Sequence, residues 1–134
     1  MKEVIVSAGI IINKDKILCL QRGCNKYDYI SYKFEFPGGK LEADEDGKEA
    51  LRRELIEEME IEISLDNMEH FLTVEHEYPD FKVILHSYIC PNENPEIKLL
   101  EHIDFKWLEV QELMGLDWAA ADLPIVDALI RMKG

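Results

Sequence analysis

Glu54, Glu57 and Glu58 stand at i, i+3 and i+4 in a run free of proline. At 3.6 residues per turn, three carboxylates so spaced leave one side of a helix. Ionised acids this close repel one another unless a cation sits among them. Hard oxygen donors on a rigid element suit Mg2+, or Mn2+ in its place, with phosphate oxygens and water completing the shell. The spacing therefore points to a divalent metal and a phosphate-bearing substrate. Arg53, four residues before Glu57, is placed to orient that carboxylate by a charge-assisted hydrogen bond. Ahead of this group, Pro37-Gly38-Gly39 requires a sharp turn of the backbone.

These residues need a scaffold, and the chain reads as alternating strands and helices. Val4–Ile12 is rich in β-branched residues and predicts a strand, followed by a polar turn at residues 13–16 and a second strand over Ile17–Leu20. Residues 23–33 have no clear period and read as a mobile loop before a short strand over Phe34–Phe36. Asp46–Met59 is the strongest helix, with Ala50, Leu51, Leu55 and Met59 as its core side. Glu45 falls where negative charge caps a helix N-terminus. Glu69–Glu77 and Phe81–Cys90 predict a hairpin turned at Tyr78-Pro79-Asp80, and Ile103–Leu108 a further strand. Val110–Leu116 and Leu123–Met132 predict helices, the second started by Asp122 and Pro124. Strands mixed with three helices imply a sheet covered on both faces, an α/β/α sandwich.

Bulk composition narrows the function. The 134 residues fit one domain, 1–134, and the apolar fraction of 47% is that of a globular protein. A net charge of −13 repels the phosphates of a nucleic-acid duplex, although a bound metal can reverse the sign locally for one nucleotide. Cys19, Cys24 and Cys90 are too few and too scattered for a disulfide framework or a zinc site, and Cys19 and Cys90 lie in apolar runs that bury thiols. His70, His76, His86 and His102 lack ligand spacing and read as structural. No basic leader or membrane-length apolar run stands at the N-terminus, so a soluble cytoplasmic protein without membrane contact is expected.

From Gly39 to Ile61 the chain reads Gly, five residues, Glu45, seven residues, Arg53-Glu54-Leu55, one residue, Glu57-Glu58. This resembles the signature of the Nudix hydrolases, and the flanking Phe36-Pro37-Gly38 is similar too. One position departs: the family's usual Gly before the closing apolar residue is here Glu60. A left-handed residue there costs a glutamate on the order of 1 kcal/mol. Similarity to the MutT-like branch, which includes CTP pyrophosphohydrolases, extends over most of the chain.

The resemblance implies an α/β (α+β) Nudix sandwich with a mixed sheet, working as a monomer or weak homodimer. It implies Mg2+-dependent hydrolysis of a nucleoside triphosphate to monophosphate and diphosphate. Glu57, Glu58 and the Gly38 carbonyl resemble the metal ligands. Glu54 either binds a second metal or takes the proton of the attacking water, and Glu101 resembles a distant extra carboxylate. Arg22, Glu35, Phe36, Pro37, Gly38, Tyr78, Asp80 and Asp122 resemble nucleotide contacts. Phe36 and Tyr78 suit base stacking. An ionised Asp122 would be acceptor-only, matching an exocyclic amine such as cytosine N4, or the N1–H and N2–H edge of a guanine. CTP, dCTP or a modified cytosine nucleotide is then the first expectation and 8-oxo-dGTP the second. Hydrolysis of another nucleoside diphosphate-X such as ADP-ribose, or a catalytically silent nucleotide-binding module, are the alternatives.

Overall fold

The apolar N-terminal run becomes the middle of a mixed seven-stranded sheet. The computed structural model describes residues 1–133. It contains β1 (Glu3–Asn13), β2 (Lys16–Gln21), β3 (Phe34–Glu35), β4 (Gly38–Lys40), β5 (Glu69–Glu77), β6 (Lys82–Pro91) and β7 (Asp104–Leu108), with helices α1 (Gly47–Met59) and α2 (Leu123–Lys133). The strand order is β3-β2-β1-β6-β5, with β4 also on β1 and β7 also on β2. β1 and β6 run parallel from Glu3 opposite Lys82 to Ile12 opposite Pro91, and the other pairs are antiparallel.

Neighbouring residues of β1 and β2 enter opposite cores. Ile10, Ile17 and Cys19 pack with Leu113, Ile125, Val126 and Leu129 on the α2 side. Ile11, Leu18 and Leu20 pack with Leu51, Leu55 and Met59 of α1. A sheet buried on both faces needs apolar side chains in both directions, which is why these strands show no polar alternation. The expected α/β/α layering is present. Cys19 and Cys90 are fully buried, and burial pushes both thiols up to about 12, so they stay protonated.

Local chemistry sets the ends of α1. Asp46 is the N-cap, and Asp46 and Glu49 form a reciprocal capping box. Glu45 is therefore not the cap; its carboxylate accepts from the Glu42 amide and from Arg53. At the other end Glu60 adopts φ 56°, ψ 33°, and its amide donates to the Ile56 and Leu55 carbonyls. The left-handed stop that suits glycine is thus kept with a glutamate, whose side chain pairs with Lys98 at 2.8 Å.

Two expectations change. Residues Val110–Gly115 form a 3-10 helix rather than an α-helix. Its last turn is tightened where the Leu113 carbonyl accepts both the Leu116 amide and the Trp118 indole N–H. The Pro37-Gly38-Gly39 segment does more than turn: from Gly38 it pairs with β1, setting Ala8 opposite Gly38 and Ser7 opposite Gly39.

Candidate active site

β4 brings α1 to the sheet. Gly38 has φ +149°, and a Cβ there would strike the Ser7 carbonyl; one on Gly39 would land on the Glu54 carboxylate. Only glycines allow β4 to lie this close to both β1 and α1. The Gly38 amide donates to Glu58 at 3.0 Å.

The acids of α1 are graded in exposure. Glu58 is 4% exposed, Glu54 is mostly buried, and the Glu57 side chain is 51% exposed. Burial, then the neighbouring charges of Glu35 and Glu54, push the Glu58 carboxyl up to about 9. Glu54 is also raised, chiefly by burial, against the pull of Arg53. Arg53 bonds Glu45 at 2.8 Å and Glu54 at 2.9 Å, and reaches Glu57 only at 3.4 Å. Its expected main partner, Glu57, is therefore the weakest of the three. The shorter bonds arise because Glu45 and Glu54 flank the guanidinium while Glu57 extends toward solvent. Glu101 is exposed but lies near enough to raise both Glu54 and Glu58.

A second pair of acids stands at β3 and the start of α2. Glu35 accepts from Arg22 Nε at 2.9 Å and pairs with His102 Nε2 at 2.8 Å. Burial drives its carboxyl upward, but the hydrogen bond to His102 and the charge of Arg22 bring it below the usual range. Asp122, 6% exposed, accepts from the Phe36 amide at 3.3 Å. Burial and the adjacent Glu35 charge raise its carboxyl well above the usual range. Glu35 holds Arg22 and His102 and keeps its charge, while burial beside that charge favours the protonated form of Asp122. The raised carboxyl disfavours the ionised, acceptor-only form expected for Asp122, and a protonated carboxyl also donates. Its carboxylate is spent on Phe36 rather than on capping α2.

A cleft of about 400 Å³ opens beside these groups. Lys2, Arg22, Lys26 and Lys40 line it along with Glu35, Asp80 and Asp122, a cationic balance in an acidic protein. Phe36, Gly38 and Tyr78 also line it. Phe36 and Tyr78 belong to the core as well: Phe36 lies 4.8 Å from the Trp118 ring, and the Tyr78 hydroxyl accepts the Ala121 amide. Asp80 accepts from the Tyr29 hydroxyl at 2.6 Å. Pro37 is fully buried, and among the described residues it, Glu54, Glu57, Glu58 and Glu101 do not line the cleft. The acids meet the cleft at β4, through their contacts with Gly38 and Gly39.

The NUDIX domain profile matches residues 3–129. This chain belongs to the Nudix family. It is 32% identical over 133 residues to a CTP pyrophosphohydrolase of Escherichia coli K12, covering 99% of this chain and 96% of that protein. An 8-oxo-dGTP diphosphatase of the same strain is 29% identical over 133 residues, covering 98% of this chain and all of the relative. Among solved structures, the E. coli ORF135 protein superposes with a TM-score of 0.83 at 32% identity, covering 100% of this chain and 93% of that one. A MutT protein from Methanosarcina mazei Go1 gives 0.85 at 25% identity, over 98% and 96%.

Nudix hydrolases generally use a divalent metal, typically Mg2+. Among the described residues no three Asp, Glu, His or Cys side chains converge into a ready shell. Arg53 occupies Glu54, and Glu57 extends toward solvent. The donor set nevertheless fits a hard cation: every candidate donor is an oxygen, and among the described residues the buried Glu58 carboxyl makes no direct ion pair.

His102 is the residue that sequence reading of this Nudix chain missed as a site member. The four histidines lack ligand spacing, yet the 5% exposed His102 side chain holds Glu35. Its position directly after Glu101 was the available signal.

Proposed function

We propose that this Nudix enzyme is a Mg2+-dependent nucleoside triphosphate pyrophosphohydrolase, taking CTP, dCTP or a modified cytosine nucleotide first and 8-oxo-dGTP second. The observation that carries this reading is the meeting, at Gly38-Gly39, of the α1 acids with a cleft lined by four cationic side chains together with Glu35 and Asp122. Glu57, Glu58 and the Gly38 carbonyl are the residues that would hold the metal, which when bound neutralises phosphate oxygens and acidifies a water.

The chain's own groups do the rest. Lys2, Lys26, Lys40 and Arg22 attract the phosphates into the cleft. Glu54, with Glu101 beside it, accepts the proton of the attacking water, and Arg53 fixes the Glu54 carboxylate at 2.9 Å. In-line attack forms one P–O bond and breaks the anhydride P–O bond, leaving the monophosphate and diphosphate. For the base, a protonated Asp122 donates O–H to cytosine N3 and accepts from N4–H, while ionised Glu35 only accepts. The same acid also fits the O6 and N1–H edge of 8-oxoguanine, which is why that nucleotide ranks second.

Diphosphate release from a panel of CTP, dCTP, 8-oxo-dGTP and ADP-ribose, with and without Mg2+, tests the reading. Glu57→Gln is expected to abolish turnover while leaving the circular dichroism spectrum unchanged. Absence of metal-dependent release from every triphosphate would sink it.

A further inference from the structure

Residues 22–33 wall one side of the cleft with Arg22, Asn25, Lys26, Tyr27 and Ile30. Among the described residues, the backbone hydrogen bonds of residues 23–32 stay within residues 21–33: Tyr32 to Gly23, Ser31 to Tyr27, Asn25 to the Ser31 hydroxyl, and the Gln21 side-chain amide to the Tyr32 carbonyl. They shape the loop but do not dock it. Tyr29 does. Its hydroxyl donates to Asp80 Oδ2 at 2.6 Å, beyond the end of β5. Its ring stacks on Tyr78 at 5.3 Å and 18°, and on Tyr27 at 5.3 Å and 18°. Phe81 touches both Tyr27, at 5.6 Å, and Tyr78, at 5.3 Å. Four rings thus close on one another across the gap between loop and hairpin, and each stacked contact adds to area burial.

We propose that Tyr29 is a positioning residue for the substrate: bonded to Asp80 and stacked on Tyr78, it seats loop 22–33 so that Tyr27 and Ile30 stand as a fixed wall for the base of a nucleotide. The proposal rests on the nucleotide reading above. Tyr29 does not itself line the cleft, so it acts through Tyr27. Asp80, which the resemblance placed as a nucleotide contact, is committed to the loop. Burial and Asp80 hold the Tyr29 phenol up to about 12, so the donor is present throughout the neutral range. A wall of this kind contributes binding common to ground and transition states, which changes KM without changing kcat.

Steady-state kinetics on CTP, dCTP and 8-oxo-dGTP with Mg2+, joined to hydrogen exchange of the loop amides, test this. Tyr29→Phe keeps the ring and loses one charge-assisted hydrogen bond. It should raise KM about fivefold, leave kcat within about twofold, and speed exchange at residues 25–32. Asp80→Ala should speed the same amides, and adding Tyr29→Phe to it should change nothing more. Unchanged KM and exchange in Tyr29→Phe, a fall in kcat at constant KM, or additive effects in the double variant each overturn the proposal. If the unsubstituted protein hydrolyses none of the three nucleotides, the functional reading fails, while the exchange comparison still decides the latch.

Discussion

Gly39 and Glu54 share one space: the Cβ that Gly39 lacks would sit on the Glu54 carboxylate. Gly39 opens the signature, and Glu54 lies fifteen residues on, on the helix that the signature carries. β4 pairs with β1 through Ser7 opposite Gly39, while α1 packs Leu51 and Leu55 into the sheet. Neither element can retreat without breaking its own packing.

Gly39→Ala should therefore displace the Glu54 side chain from Arg53 while the backbone stays in place. We expect kcat to fall by about tenfold or more with a small change in Tm, because the clash is with the end of a side chain. In a Glu54→Gln background the same substitution should add little. Equal losses in both backgrounds, measured as kcat, would show that Gly39 acts elsewhere.

Asp122→Asn separates a neutral acid from an ionised one. Raised by burial and by Glu35, the folded carboxyl keeps its proton well above 3.8. Tyr78 and Arg22 are the other titratable groups facing it. Neutral Asp and Asn can each turn one donor and one acceptor to a base edge, so the preference between dCTP and 8-oxo-dGTP should survive the substitution where Asp122 is protonated. The unsubstituted enzyme should lose affinity as pH rises through the Asp122 titration, and Asp122→Asn should not. Carbon-13 NMR of the Asp122 carboxyl, alongside KM against pH, measures both. A free-acid titration near 3.8 would remove the argument.

Much of this was legible in the residues themselves. Apolar runs gave β1, β2, β5 and β6, and the periodic Ala50, Leu51, Leu55 and Met59 gave α1. Asp46, not Glu45, is the cap because its side chain reaches the Glu49 amide, a choice between adjacent acids that charge alone does not make. The state of Asp122 was not legible, since it depends on Glu35 and Phe36, more than 80 residues away. His102 escaped notice for the same reason: its partner Glu35 lies 67 residues back.

Glu58 should make the metal-free protein sensitive to alkali. Its folded value of about 9 stands above the ordinary 4.5, so the folded state holds a proton that the unfolded chain gives up. The stabilisation is complete below about pH 4.5 and is lost as pH rises toward 9. In EDTA, Tm should drop between about pH 6 and pH 9 by more for the unsubstituted protein than for Glu58→Gln, with a difference on the order of 5 °C. Mg2+ should raise Tm more at the alkaline end, because it favours the ionised carboxylate. Parallel Tm curves for the two proteins in EDTA would refute the burial effect.

Glu60→Gly tests the one departure from the signature. At φ 56° a glutamate bears roughly 1–2 kcal/mol of left-handed strain, whereas glycine bears none but loses more chain entropy on folding, about 0.5–1 kcal/mol. The Lys98 pair that is lost joins two half-exposed side chains and contributes about 0–1 kcal/mol at most. The difference places Glu60→Gly between about 1 kcal/mol less and about 1.5 kcal/mol more stable, centred just on the stabilising side. Glu60→Ala keeps the strain and loses the pair, so it should gain nothing. Urea unfolding of the three proteins at matched ionic strength orders them. If Ala equals or exceeds Gly, the left-handed cost is not what distinguishes this position.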